Sequence, residues 1–274
     1  MIGQPTRSSL WPRIIAAAIL IPAALLAVYD GGWILGVWTT AAGVAMAREW
    51  VQIVHHESFD WRFALHALAL ASSQALLALE HPDWAFAAIL FFALIGSVAA
   101  QAREERGIWV ALGIIYIAVP CLAFVWIRHD PLFGLWSLVW LLAVVWATDS
   151  VAYLAGSALG GPRLAPLISP NKTWAGAIGG LVAGVAATAL LAQLLNVGAV
   201  WPFLGAGLVL SLLTQCGDLA ESVLKRTFGV KNASDLIPGH GGALDRLDGL
   251  IFATLGLALY MQQTGISPIA WTGP

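Results

Sequence analysis

The chain has 274 residues, of which 59% are hydrophobic and only 10% are charged, and its formal net charge is −2. Soluble globular proteins carry about 25% charged residues, so a soluble domain of this length could not bury so much apolar side chain. The composition excludes an ordinary soluble domain, and the weak net charge without a basic tail gives no indication of nucleic-acid binding. We expect an all-α, polytopic integral membrane protein.

Nine apolar stretches approach the length of about 20 residues that a helix needs to cross a bilayer. In chain order, we predict spans over residues 13–30, 33–54, 62–80, 84–101, 107–128, 133–157, 173–195, 201–220 and 249–266. The first five form an N-terminal region, 1–130, and the last four a C-terminal region, 131–274, which we expect to carry the functional site. Segments 157–173 and 221–248 are the longest polar connections, and we predict that both are cytoplasmic loops.

Lys and Arg residues are distributed unevenly about these spans. Twelve of the thirteen lie near the N-terminus or in or next to the even-numbered connections, and only Arg128 lies on the other side. Because positive charge accumulates in cytoplasmic loops, this asymmetry predicts a cytoplasmic N-terminus and a C-terminus outside. The alternation also requires the first span to be retained, although Arg7 and Arg13 before a short apolar run resemble a signal peptide.

Polar residues concentrate in the two cytoplasmic segments. We expect "GDLAESVLKR", residues 217–226, to continue span eight as a helix. The spacing i, i+3, i+4 and i+7 then puts four polar residues on one helix face, namely Asp218, Glu221, Ser222 and Lys225. The stretch "LIPGHGGALDRLDG", residues 236–249, holds four charged or titratable side chains within nine positions, namely His240, Asp245, Arg246 and Asp248.

Carboxylates near one membrane face predict a site for a hard cation such as Mg²⁺, which commonly lies between one or two carboxylates and substrate phosphates. The main candidate ligands are Asp218, Asp245 and Asp248, and a weaker one is Asp149, inside the sixth span. The cations suited to hold phosphates are Lys172, Lys225, Arg226 and Arg246. The glycines of "PGHGG" let the backbone approach an anion closely. Together these features predict a phosphoryl- or nucleotidyl-transfer site.

Each feature also has a purely structural interpretation. Asp218 and Lys225 can belong to an ordinary polar helix face at the membrane interface, and Asp245 can cap the start of span nine. Small residues spaced four apart in span seven, Gly176, Gly180 and Gly184, are best explained by close helix packing.

The stretch from Ser222 to Asp248 resembles the signature of the phosphatidate cytidylyltransferase family, also called CDP-diacylglycerol synthases. The matching positions are Ser222, Lys225, Arg226, Lys231, Pro238 to Gly242, Asp245, Arg246 and Asp248. The preceding "GDLAES", the segment "ISPNKTWAG" and the upstream Asp149 also fit the family. Two positions depart from it, because Asn232 and Ala175 stand where the family usually has carboxylates, and either change could alter activity.

The resemblance implies the reaction CTP + phosphatidate → CDP-diacylglycerol + pyrophosphate, at the cytoplasmic face of what we expect to be a bacterial inner membrane. It implies Mg²⁺ held by Asp218, Asp245 and Asp248, with Asp149 a further candidate; a second cation and a homodimer stay open. The triphosphate would be held by Lys225, Arg226 and Arg246, and His240 would donate a hydrogen bond to a phosphoryl oxygen. The remaining substrate contacts are assigned to Ser169, Lys172, Ser222, Lys231, Gly241 and Gly242.

The sequence leaves four other functions to consider. A CTP-dependent lipid kinase resembling dolichol kinase would use similar parts but transfer the γ-phosphate. A CDP-alcohol phosphotransferase is disfavoured because its spaced Asp-Gly and Asp pattern is missing from the sequence. A transporter of an anionic solute predicts charge near the bilayer midplane, where only Asp149 is found. A catalytically inactive scaffold would be explained by Asn232 and Ala175.

Overall fold

The computed structural model describes residues 10–231, 234 and 241–270, with side chains from residue 18 onward. Within that part of the chain there are nine α-helices, two short strands and one 3₁₀ turn. The helices are α1 Leu10–Asp30, α2 Gly32–His55, α3 Trp61–Ala78, α4 Pro82–Gln101, α5 Gly107–Arg128, α6 Gly134–Leu159, α7 Trp174–Leu194, α8 Val200–Thr227 and α9 Leu244–Thr264. The strands are β1 Arg163–Ala165 and β2 Ser169–Thr173, and the 3₁₀ turn is Pro268–Ala270.

Each predicted span corresponds to one helix, and five helices, α4 to α8, are long and apolar enough to cross a membrane. The expectation of an all-α membrane protein is confirmed.

The predicted spans and the observed helices differ most at the polar segments. Helix α8 continues to Thr227, which confirms that "GDLAESVLKR" is helical, and α9 begins at Leu244 rather than at residue 249. The predicted loop 221–248 is therefore helical at both of its ends.

A small β-hairpin in segment 157–173 was not predicted. Strands β1 and β2 pair antiparallel, with Arg163 opposite Thr173 and Ala165 opposite Ser169. Such short, polar strands carry no alternating apolar pattern from which a strand could be predicted. The hairpin leads directly into α7, where the Thr173 side chain accepts a hydrogen bond from the Gly176 N–H at 3.1 Å and caps the helix.

Helices α6 and α7 approach closely because glycines face the neighbouring backbone. A Cβ added at Gly176 would lie 2.7 Å from the carbonyl oxygen of Ala152, and one at Gly180 would lie 3.0 Å from that of Thr148. Gly184 is packed against the side chain of Ser211 of α8, whose Cβ would lie 2.7 Å from an added Cβ. The interpretation of this glycine series as helix packing is confirmed.

Helix α9 occupies a central position, packing against α8, α5 and α6. Its apolar side chains Leu244, Ile251 and Leu257 are buried. The polar residues in the first turns of α9 line the cavity, where Asp248 is buried, Asp245 half-buried and Arg246 exposed. This position explains how a helix with several charged residues is accommodated in an apolar protein.

Polar clusters connect the loops at the two ends of the bundle. Arg128 at the end of α5 donates hydrogen bonds to the carbonyl oxygens of Val28 and Tyr29, at 2.8 and 2.9 Å, and so joins α5 to the end of α1. At the opposite end, Arg62 pairs with Asp60 and with Glu105 in the loop between α4 and α5. The hydrogen bond from Arg62 lowers the pKa of the Glu105 carboxyl below its usual value of 4.5.

Candidate active site

A cavity of about 1380 Å³ lies among α1, α2, α6, the hairpin and the ends of α7, α8 and α9. Its polar wall contains seven of the predicted site residues, namely Asp149, Ser169, Lys172, Asp218, Asp245, Arg246 and Asp248. Its apolar wall is formed mainly by α1, α2 and α6, with Leu20, Ile21, Trp38, Ala41, Ala45 and Trp146 among its residues. The cavity therefore joins a charged region to an apolar one.

Two glycines bring the predicted metal ligands of α8 and α9 together. A Cβ at Gly217 would overlap the carbonyl oxygen of Asp248, and a Cβ at Gly249 would lie 3.1 Å from that of Thr214. Asp218, the residue after Gly217, is consequently near enough to Asp248 for the two carboxylates to interact electrostatically. Two carboxylates this close repel each other unless a proton or a cation is shared between them.

Lys172 of the hairpin reaches this carboxylate pair. Its Nζ lies 2.8 Å from Oδ2 of Asp218, and each side chain keeps 28% of its surface exposed. Asp149 of α6 interacts electrostatically with Asp218, Lys172 and Arg246. Residues from four elements, α6, β2, α8 and α9, thus form one charged cluster at the polar wall of the cavity.

A second ion-pair group joins α8 to the start of α9. Lys225 Nζ lies 2.5 Å from Oε2 of Glu221, one helical turn before it, and 2.6 Å from Oδ1 of Asp245. The other oxygen of Asp245 accepts a hydrogen bond from the Gly242 N–H at 3.1 Å. Asp245 therefore closes the turn that begins α9, as its capping interpretation predicts, and also contacts a lysine of another helix. The polar face of α8 therefore forms ion pairs with α9 as well as within α8.

Other predicted site residues lie away from the cavity wall. Arg226 donates to the carbonyl oxygens of Ile168 and Val230, at 3.2 and 3.3 Å, so it ties the hairpin turn to the end of α8. Among the described residues, the cavity lining does not include Ser222, Lys225, Arg226, Lys231, Gly241 or Gly242. His240 and Pro238 lie outside the described residues, as does Asn232. Ala175 lies half-buried in the first turn of α7.

Sequence reasoning missed Glu49 of α2. Its side chain is fully buried and accepts hydrogen bonds from the N–H groups of Ala243 and Leu244, at 2.9 and 2.7 Å. Ser234 donates to the same carboxylate at 2.5 Å. A single acid inside a predicted span was the only signal available, and its partner nearly 200 positions away could not be identified without the fold.

The donor set fits Mg²⁺ only in part. Among the residues that the structure describes, no group of three or more His, Cys, Asp or Glu side chains is arranged to hold a metal ion. Asp218 and Asp248 each have one oxygen engaged, by Lys172 Nζ and by the Gly249 N–H, whereas both oxygens of Asp245 have partners. A pair of carboxylates completed by substrate phosphates is the usual way in which proteins bind Mg²⁺.

Comparison with known proteins identifies the family. The sequence profile of the cytidylyltransferase family matches residues 11–264. Phosphatidate cytidylyltransferases of Brucella abortus biovar 1 (strain 9-941) and Brucella melitensis biotype 1 are each 40% identical over 255 residues, which make up 92% of this chain and 93% of each relative. That of Staphylococcus aureus (strain COL) is 40% identical over 154 residues, 56% of this chain and 58% of that protein. The resemblance based on residues 222–248 is confirmed: the chain belongs to the cytidylyltransferase family.

Proposed function

We propose that the protein transfers the cytidylyl group of CTP to phosphatidate and forms CDP-diacylglycerol and pyrophosphate. The observation that carries this proposal is the cavity, because its charged wall suits two sets of phosphates and its apolar wall suits acyl chains. The names of the relatives in Brucella and Staphylococcus support the same reaction. A lipid substrate would enter laterally, between helices, and present its headgroup to the charged wall.

The proposed chemistry needs no general base. The second pKa of a phosphate monoester is about 6, so the phosphatidate oxygen is already mostly ionised near neutral pH. That oxygen forms a bond to the α-phosphorus of CTP, and the bond from this phosphorus to the bridging oxygen of the β-phosphate breaks, which releases pyrophosphate. The main difficulty is to bring two polyanions together in line.

The charged residues of the cavity are suited to this task. Lys172 and Arg246 supply positive charge for the phosphates, with Ser169 beside them in the cavity wall. Asp218 and Asp248 would hold Mg²⁺, which supplies charge neutralisation at the phosphate oxygens when it is bound. Lys225 acts on Asp245 rather than on substrate, since its Nζ lies 2.6 Å from that carboxylate.

We further propose nine membrane spans with the cavity's charged wall at the cytoplasmic face of a bacterial inner membrane. The asymmetry of twelve Lys and Arg residues against one supports this orientation. The bacterial sources of the relatives support the inner membrane. In this arrangement CTP reaches the site from the cytoplasm, and the nine helices alternate so that Arg128 lies at the outer face.

Product analysis tests the proposed reaction. Protein purified in detergent is incubated with Mg²⁺, CTP and phosphatidate, and the lipid fraction is examined by mass spectrometry while pyrophosphate is measured in the aqueous fraction. We expect CDP-diacylglycerol and pyrophosphate in equal amounts, with neither formed when phosphatidate is left out. Pyrophosphate release without a cytidylyl lipid would contradict the proposal.

A further inference from the structure

The start of α9 receives its cap from a distant helix. The first N–H groups of any α-helix have no partner within the helix, and their dipoles favour a negative charge. The residue at the α9 N-cap position is Ala243, which has no side-chain oxygen. The fully buried carboxylate of Glu49 supplies the missing acceptor. One of its oxygens accepts a hydrogen bond from the Ala243 N–H and the other from the Leu244 N–H.

The same carboxylate also binds the chain upstream of α9. Ser234 donates to the oxygen that Ala243 N–H also contacts, at 2.5 Å. One side chain of α2 therefore joins two points on either side of the residues that include "PGHG" in the sequence. Breaking this contact would remove a hydrogen bond at both points at once, because the Ser234 bond and the Ala243 bond share an oxygen.

The residues that follow Ala243 and Leu244 in the chain line the cavity. Asp245 and Arg246 follow Leu244 immediately, and Asp248 lies one helical turn from Leu244. A shift of about 1 Å in a reacting group can reduce turnover about 100-fold. We propose that Glu49 is a positioning residue, one that fixes the first turn of α9 and thereby the placement of Asp245, Arg246 and Asp248; the proposal rests on the proposed function.

The test uses the Glu49→Gln variant, which keeps the side-chain shape but replaces one acceptor oxygen with a donor. Thr39→Val is the matched control, since Thr39 is a buried polar residue of the same helix whose hydroxyl bonds only within α2. We expect Glu49→Gln to lower kcat at least tenfold while KM for phosphatidate changes less than threefold. Thr39→Val should retain kcat within twofold.

Hydrogen exchange provides a readout that does not depend on activity. We expect the amides of Ala243 and Leu244 to exchange at least tenfold faster in Glu49→Gln, with other helices unchanged. If kcat falls and exchange rises throughout the chain, Glu49 serves only the fold and the proposal is wrong. If the variant cannot be purified folded, Glu49→Asp keeps the charge but shortens the side chain and withdraws it from the N–H groups of Ala243 and Leu244. A kcat and local exchange equal to wild type in Glu49→Asp would then overturn the proposal.

The two proposals can fail separately. A wild-type protein that forms no CDP-diacylglycerol contradicts the proposed function and, with it, the role of Glu49. An active wild-type protein whose Glu49→Gln variant turns over within twofold of it contradicts the positioning role alone.

Discussion

At the scale of single residues, the central feature is the pair formed by Asp218 and Asp248. The two carboxylates come from different helices, which touch at Gly217 and Gly249, and they interact electrostatically. Lys172 Nζ also lies 2.8 Å from Oδ2 of Asp218, so this carboxylate interacts with both an acid and a lysine. We therefore expect the rate of the reaction to depend strongly on the charge at these two carboxylates.

Removing either charge should reduce turnover strongly. We expect Asp218→Asn and Asp248→Asn each to lower kcat about 100-fold or more, because fixed charges that stabilise a transferring phosphoryl group commonly contribute that much. The measurement is the initial rate over a Mg²⁺ titration. Asp83→Asn, an exposed acid in the first turn of α4, is the control and should match wild type. A rate within threefold of wild type in both site variants would exclude them as metal ligands.

The sequence predicted most of these residues, but not all of their contacts. The predicted residues Asp149, Asp218, Asp245, Asp248, Lys172 and Arg246 line one cavity, and their roles stay predictions. The contacts of Arg226 with the hairpin carbonyls could not be predicted, because the hairpin itself carried no pattern. Glu49 lies in the predicted span 33–54, and hydropathy alone gives no information about the partner of a buried acid.

At the scale of elements, the contact between α8 and α9 determines the site. Gly217 faces the backbone of Asp248, and Gly249 faces that of Thr214, so the helices touch where the two carboxylates meet. Side chains larger than hydrogen at these positions would separate the helices. Hydropathy predicted that the helices exist, but not the polar start of α9 at Leu244. It also could not predict which faces touch, because lipid-facing and protein-facing sides are both apolar.

The Gly217→Ala variant tests this contact. The added methyl group would overlap the carbonyl oxygen of Asp248, and overpacking of this kind costs about 1–3 kcal/mol. We expect a lower unfolding temperature and at least a tenfold loss of kcat. Gly205→Ala in the same helix is the control, because a Cβ there meets nothing within 4 Å. Equal behaviour of the two variants would show that close approach of α8 and α9 is not required.

The ion-pair group of Arg62, Asp60 and Glu105 should make stability depend on pH. Arg62 lowers the folded-state pKa of Glu105 below 4.5, so the stabilisation is present above pH 4.5 and is lost as the pH falls through the folded-state value. We expect Glu105→Gln to unfold at a lower temperature than wild type at pH 7, and the difference to shrink at pH 4. The neighbouring, exposed Glu104→Gln should unfold like wild type at both values. A difference that grows on acidification would contradict the assignment.

At the scale of the whole molecule, the orientation of the protein in the membrane determines from which side CTP can reach the cavity. The charge asymmetry predicts that the loop holding Arg103 is cytoplasmic and that the loop holding Leu132 is outside. Both side chains are exposed in the structure, so cysteines placed there are suitable for labelling.

Labelling of single-cysteine variants tests this orientation. In a background where Cys121 and Cys216 are replaced by Ala, we expect Leu132→Cys to react with an impermeant maleimide on intact spheroplasts. Arg103→Cys should react only after the membrane is made permeable. The reverse pattern would place the charged wall of the cavity outside the cell and remove CTP as an accessible substrate.

The account as a whole depends on which phosphorus of CTP reaches the lipid. The purified protein is given phosphatidate and Mg²⁺ with CTP labelled at the α-phosphorus, and in a parallel reaction with CTP labelled at the γ-phosphorus. We predict that label enters the lipid only from the α-position and that the γ-label is recovered in pyrophosphate. Lipid labelled from the γ-position would contradict the account and identify the protein as a CTP-dependent lipid kinase.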